Sequence, residues 1–321
     1  MTELNEKIIS DCIENNYSSF QETFYKIKAE ILVDIYKKFT KDLDAANIML
    51  FFNKEFHKSI LNQKVYDLDY NISYNNYWKN IKILDQQKIK IVDISKNTGL
   101  PKETVRRKVN LLVQKKILHR VNAKFYWKPG NKLIKNYNEL ADKQVKNVSQ
   151  LINLLSHFLE KPISTDKIKT EINKHYSFYW FHYLSSFLKW CKNWQLKTND
   201  LELVLIFLQC GKNTFANFKK IKIEKLSDLV TNKIISKYNY LEAGISSTSI
   251  STVTGIPRSS CIRKLKKLVK LKILKQNLKT KKFYFDVSDM DENLITNKKT
   301  RQTNLNDFSF FYLTSLKPFF K

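Results

Sequence analysis

Apolar residues recur along this chain mostly at intervals of three and four, the period of one face of an α-helix. Phe20, Phe24, Ile27, Ile31 and Ile35 form one such stripe, and Phe181, Leu184, Leu188, Cys191 and Trp194 form another. Denser apolar stretches near 43–56 and 200–210 follow them and read as buried helices. A further stripe, Ile134, Tyr137, Ala141, Val145, Val148, Ile152, Leu155 and Leu159, predicts one long helix over residues 132–160. At ~1.5 Å per residue such a helix would reach ~43 Å. Strand-like patterns are confined to Ile117–Trp127 and Ile273–Phe285, each of which reads as a short hairpin. The expected class is therefore mainly α.

The pattern repeats. ISKNTGLPKETVRRKVNLLVQKKIL (Ile94–Leu118) aligns with ISTVTGIPRSSCIRKLKKLVKLKIL (Ile250–Leu274), and 12 of the 25 positions are identical. The same offset of 156 residues lays Ile48–Phe52 over Val204–Leu208, so the duplication extends well beyond the aligned phrase. Within each repeat a short helix (Ile91–Thr98 in the first) ends at a glycine, Gly99 or Gly255, where a tight turn needs positive φ. Pro101 and Pro257 then suit the first turn of a second helix. That helix runs from Lys102 to about Lys116, with Val105, Val109, Leu112 and Val113 inward. Its counterpart is Arg258–Lys270. A hairpin follows in each case, turning near Asn122 in the first repeat and two residues longer in the second.

Helix, turn, helix and hairpin in this order make a winged helix. The expected fold is thus two tandem winged helix–turn–helix domains with flanking helices. The expected division is residues 1–130, a connecting helix 131–162, and residues 163–321. The phrases TGLPKETVRRKVNLLVQKKIL and TGIPRSSCIRKLKKLVKLKIL resemble the recognition-helix segment of bacterial winged helix–turn–helix transcription regulators, over about 35 residues of each repeat. In order and length the flanking helices are similar to a MarR-type protomer, in which helices outside the winged domain make the dimer. Those proteins are one-unit homodimers, whereas this chain carries two units. The resemblance implies a sequence-specific regulator that binds double-stranded DNA as a covalent pseudo-dimer. The long helix is then long enough to bridge recognition helices one DNA turn apart, ~34 Å.

Charge supports that expectation. Lysine and arginine total 57 against 30 aspartate and glutamate, a formal net charge of +27, and this favours a polyanionic partner. Ile94–Trp127 holds nine basic residues and one acid, and Ile250–Phe285 holds eleven basic residues and none. Five of the chain's six arginines (Arg106, Arg107, Arg120, Arg258 and Arg263) fall in these two segments. Arginine offers a planar fork that pairs two atoms of guanine or of a phosphate, which lysine does not.

Recognition helices meet base edges with their N-terminal residues. The candidates are therefore Lys102, Glu103, Thr104, Arg106 and Arg107, and in the second repeat Arg258, Ser259, Ser260 and Arg263, with Ile262 read as packing. Arg107 and Arg263 are equivalent and lead the set. Glu103 suits a cytosine amino group, while its counterpart is Ser259, so the two half-sites are expected to differ. Lys96, Lys115, Lys116, Lys266, Lys267 and Lys270 suit phosphates. The hairpin tips offer Arg120 and Lys124, and Lys279, Lys281 and Lys282, to the backbone or an adjacent minor groove.

Other chemistry finds little footing. Only five glycines are present and no Gly-rich phosphate loop can be traced. Cys12, Cys191, Cys210 and Cys261 are unpaired in sequence, and the histidines form no metal-ligand spacing. No cofactor or catalytic constellation is expected, and the acidic run Asp286–Glu292 reads as a solvated linker. The aromatics at Tyr74–Trp78 and Tyr176–Tyr183 read as core. The polar N-terminus and the short apolar run Leu201–Leu208 give no membrane partner, so a cytoplasmic, nucleoid location is expected. A replication initiator with two winged helices and a nucleoid-associated protein are the alternative functions. An unidentified small-molecule effector and a homodimer remain open partners, and the apolar tail 304–321 is expected to pack on the second unit or on another subunit.

Overall fold

A computed structural model describes residues 4–231, 244–285 and 297–320. The acidic run Asp286–Glu292 lies outside them. The first repeat holds α1 (Glu6–Asn15), α2 (Tyr17–Ile35), α3 (Leu43–Tyr66), α4 (Tyr77–Ile83), β1 (Ile89–Lys90), α5 (Ile91–Thr98), α6 (Lys102–Gln114), β2 (Leu118–Val121) and β3 (Lys124–Trp127). The long helix α7 (Asn131–Phe158) leads to α8 (Thr165–Lys174), α9 (Tyr176–Thr198), α10 (Leu201–Lys220) and α11 (Leu226–Thr231). Then come α12 (Ser247–Thr254), α13 (Arg258–Lys270), β4 (Leu274–Gln276), β5 (Phe283–Phe285) and α14 (Lys298–Leu316). The described residues are mainly helical, with two small antiparallel sheets among them. Among the described residues no helix is long and apolar enough to cross a membrane.

Contacts do not follow the expected cuts at residues 130 and 162. They group the chain into one unit of Lys38–Ser149 with Ile163–Asn199, the Gly99 unit. The other, the Gly255 unit, comprises Met1–Lys37, Gln150–Pro162 and Asp200–Lys321. Each unit combines both repeats. The physical reason is a reciprocal exchange of one helix. In the Gly99 unit α3 packs on α9, which belongs to the second repeat. In the Gly255 unit α10 packs on α2, which belongs to the first. Periodicity marks the apolar face of a helix but not the helix that covers it.

In the Gly99 unit, α3 is largely buried from Leu43 to Ile60, with Phe51, Phe52, Phe56 and Ile60 inside, and its last turns are open to solvent. α5 and α6 pack on it, and α5 also meets α9. β3 lies between β1 and β2, pairing Ile89 with Phe125 and Leu118 with Trp127. A buried polar thread ties the elements. Tyr137 Oη of α7 donates to Asn53 Oδ1 (2.9 Å) and the Trp127 indole donates to Tyr77 Oη (3.0 Å). Of the aromatics expected in the core, Tyr77, Tyr176, Tyr179, Trp180 and Tyr183 are buried, while Tyr74, Trp78, Phe178 and Phe181 are half-buried.

In the Gly255 unit, α2 fits α10 through a gap left by one missing side chain. A Cβ on Gly211 would lie 2.4 Å from the Tyr25 ring. Phe207 and Phe215, one turn to either side, meet that ring edge-on at 5.6 and 5.4 Å. Gly211→Ala is expected to cost about 1–3 kcal/mol, because an aromatic ring seated against the backbone has to move. Urea unfolding checks this, and an unchanged midpoint would rule out so close a pairing. The N-terminus of α2 is capped from far along the chain. Glu224 accepts from the Ser19 backbone N–H (3.1 Å) and hydroxyl (2.9 Å). α14, which contains most of the apolar tail, packs on α1. It also reaches α2, with Phe308 against Phe24 at 5.4 Å and Tyr312 against Phe20 at 5.9 Å. A single bridge at Ile245↔Phe283 stands where the other unit has β1.

Candidate nucleic-acid interface

The two glycine turns are built alike. Gly99 and Gly255 have φ of +75° and +77°. Ser95 Oγ donates to the Leu100 carbonyl (2.6 Å), and Ser251 Oγ to the Ile256 carbonyl (2.7 Å). Thr98 and Thr254 hydroxyls donate back to Ile94 and Ile250 at 2.8 and 2.7 Å. Identical residues of the repeat thus fasten the turn. Pro101 and Pro257 stand one place earlier than expected. They are the N-cap residues, and their carbonyls accept from Val105 and Cys261 N–H at 2.9 Å. The proline ring fixes φ near −55°, and a ψ of 143° or 138° keeps each residue out of the helix, as an N-cap requires. α6 likewise ends at Gln114, short of Lys116, because Lys116 is left-handed (φ +57°). Lys272 repeats this at φ +55°.

Each second helix is held from behind by an ion pair that sequence spacing conceals. Lys108 pairs with Asp42, and Lys264 pairs with Asp200 and with Glu202 (3.1 Å). The same aspartates cap helices. Asp42 Oδ1 accepts from Ala45 N–H (3.0 Å), capping α3, and Asp200 Oδ1 from Glu202 N–H (2.9 Å), capping α10. One carboxylate therefore fixes both a helix start and the helix that crosses it. Lys108 and Lys264 are structural cations, although they add to the charge of the two segments. Each Asp lies more than sixty residues from its lysine. A usable sequence signal was the N-cap position of the Asp just before each apolar run.

The outer faces carry the remaining candidates. On α6, Lys102, Glu103, Arg106 and Arg107 are exposed and Thr104 is half-buried. Glu103 and Arg106 form a bidentate pair at 2.7 and 3.0 Å. The Arg106 guanidinium holds the Glu103 carboxyl below its ordinary range and is itself held above its own. A groove of about 480 Å³ runs along this face, lined by Glu103, Arg106, Arg107 and Asn110 among others. On α13, Arg258, Ser259, Arg263 and Lys266 are exposed, while Ser260 and Ile262 are half-buried. Arg258 Nε donates to Thr248 Oγ1 of α12 (3.2 Å). Arg107 and Arg263 make no hydrogen bond or ion pair among the described residues.

The hairpins differ. Arg120 folds back, donating to the Asn122 carbonyl (2.6 Å) with its guanidinium 5.9 Å from the Phe125 ring centre. Lys124, Lys279 and Lys281 are exposed and Lys282 is half-buried. Lys115, expected at a phosphate, donates to the Phe39 carbonyl (3.3 Å). The first set of candidates is thus gathered in the Gly99 unit and the second in the Gly255 unit.

Among the described residues no three His, Cys, Asp or Glu side chains converge as a metal site. Burial pushes the Cys12 thiol up to about 11 and raises Cys210 and Cys261 as well, which disfavours a reactive thiolate at each. Comparison with protein-family models, with curated proteins and with solved structures returns no match.

Proposed function

We propose that this protein is a sequence-specific double-stranded-DNA-binding regulator of transcription, in which α6 and α13 are the recognition helices of two winged helices and read two unlike half-sites. The carrying observation is the pair Arg107 and Arg263. They stand at equivalent positions of duplicated helices, face outward, and make no hydrogen bond or ion pair among the described residues, although Arg107 lies in the field of Glu103. A guanidinium left free in this way is ready for the bidentate contact to guanine O6 and N7. Around each arginine lie lysines suited to phosphates, which set affinity and position. The duplication places both readers on one polypeptide, as a covalent pseudo-dimer requires. Unlike half-sites follow from chemistry, since α6 offers the Glu103–Arg106 pair where α13 offers Ser259 and Ile262.

Selection from a random duplex pool at about 150 mM salt tests this reading. Two dissimilar half-sites are expected to enrich. Binding should weaken steeply with salt, and mapped genomic sites should lie at promoters. Retention of DNA without a motif would replace the reading with a nucleoid-type protein, and sites clustered as direct repeats beside an origin would replace it with a replication initiator.

A further inference from the structure

The exchange of helices brings a lysine from one repeat to the glycine turn of the other. In the Gly99 unit, Lys192 of α9 lies against that turn, its Cγ 3.3 Å from where a Cβ on Gly99 would stand. In the Gly255 unit, Lys37 lies on the π-helical segment Tyr36–Thr40 that follows α2, its Cε 3.0 Å from the equivalent point on Gly255. The arrangement therefore occurs twice, on two different local structures. Lys37 is exposed and Lys192 half-buried, and neither makes an ion pair or hydrogen bond among the described residues. Their stems lie along the turn, a packing that lets a lysine keep its ammonium in water.

We infer that Lys37 and Lys192 are phosphate contacts of the DNA interface, so that each recognition surface is completed by a residue of the opposite repeat. This rests on the reading of α6 and α13 as recognition helices. The turn leads straight into the N-terminal end of such a helix, the end that meets base edges. A cation beside the turn is then close to the DNA backbone. The competing role is structural. A lysine near the last carbonyls of α5 or α12 also favours the negative end of that helix. The two roles separate by measurement, because phosphate neutralisation changes the salt dependence of binding and a helix-end cation changes only stability.

The experiment uses the full chain with Lys37→Ala, Lys192→Ala, the double variant, and Lys58→Ala as an exposed-lysine control on α3. The probes are a duplex carrying the motif that the wild-type chain selects and a random duplex of equal length. Each single variant is expected to flatten the plot of log K against log salt by about 0.9, and the double variant by about 1.8, on both probes. Lys58→Ala should leave the slope unchanged. Lys192→Ala should thin footprint protection over the half-site that Arg107→Ala affects, and Lys37→Ala over the half-site that Arg263→Ala affects. Unchanged slopes with lowered urea midpoints would overturn the inference and leave DNA binding standing, as would the opposite assignment of half-sites. Absence of DNA binding by the wild-type chain would overturn both.

Discussion

Replacing Arg107 and Arg263 together by alanine is expected to abolish motif selection while leaving weak, salt-sensitive retention of any duplex. Each bidentate arginine–guanine contact discriminates by about 1–3 kcal/mol, so the pair is worth roughly 2–6 kcal/mol if the sites act independently. That corresponds to a loss on the selected duplex between roughly thirty-fold and twenty-thousand-fold. Random duplex should lose far less, because Lys102, Lys266 and Lys270 remain exposed for phosphates. Folding should change little, since neither guanidinium makes a hydrogen bond or ion pair among the described residues that the substitution would remove. The single variants carry further information. Arg107→Ala should relax one half-site and Arg263→Ala the other. Equal loss on selected and random duplexes would show that the arginines act only as charges, and the base-reading role would be withdrawn. Arg106→Ala should do less than Arg107→Ala, because Arg106 has to leave Glu103 before it can reach DNA.

The local motif was legible because each of its residues has a local reason. Gly99 and Gly255 hold positive φ, Ser95 and Ser251 bridge the turn, and Val105, Val109 and Leu112 follow helical spacing. α13 was readable to the residue, and α7 to within two residues at each end. Contacts between distant segments were not legible. The stripe Phe20–Ile35 states that α2 has an apolar face, and nothing in it names α10 as the surface that covers it. Gly211 is the one clue to that pairing, a glycine inside an apolar helix where close approach is needed. The same limit hid the anchors of the candidate interface. Lys108 and Arg107 are adjacent basic residues on one helix, yet Lys108 turns to Asp42 and Arg107 to solvent. Helical period separates such faces only once the inward direction is known. The pairing of β1 with β3 leaves no mark in the sequence, because two residues carry no period.

Acidification is expected to destabilise the Gly99 unit through His57. This side chain is fully buried, with ring centres of Tyr77 and Tyr176 at 5.0 and 5.3 Å. Neither ring nitrogen has a hydrogen-bond partner among the described residues. Burial without a partner disfavours the imidazolium and pushes the group down from 6.5 to about 3. Between those values the unfolded chain holds a proton that the folded chain does not, so stability falls as pH falls. The contribution is complete above the unfolded value and erodes at about 1.4 kcal/mol per pH unit below it. From pH 6.5 to about 4.5 the loss from this residue is roughly 2–3 kcal/mol. His182, half-buried and shifted down by desolvation, acts in the same sense but is discounted by its contact with water. His57→Phe keeps an aromatic ring in the core and removes the proton. Its urea midpoint should change much less between about pH 7.5 and 5 than that of the wild-type chain. Equal losses in the two proteins would place the acid sensitivity elsewhere, in the general repulsion of a chain with net charge +27. An imidazolium inside the aromatic core would also require hydrogen-bond acceptors for both of its N–H groups, and His57 has none among the described residues.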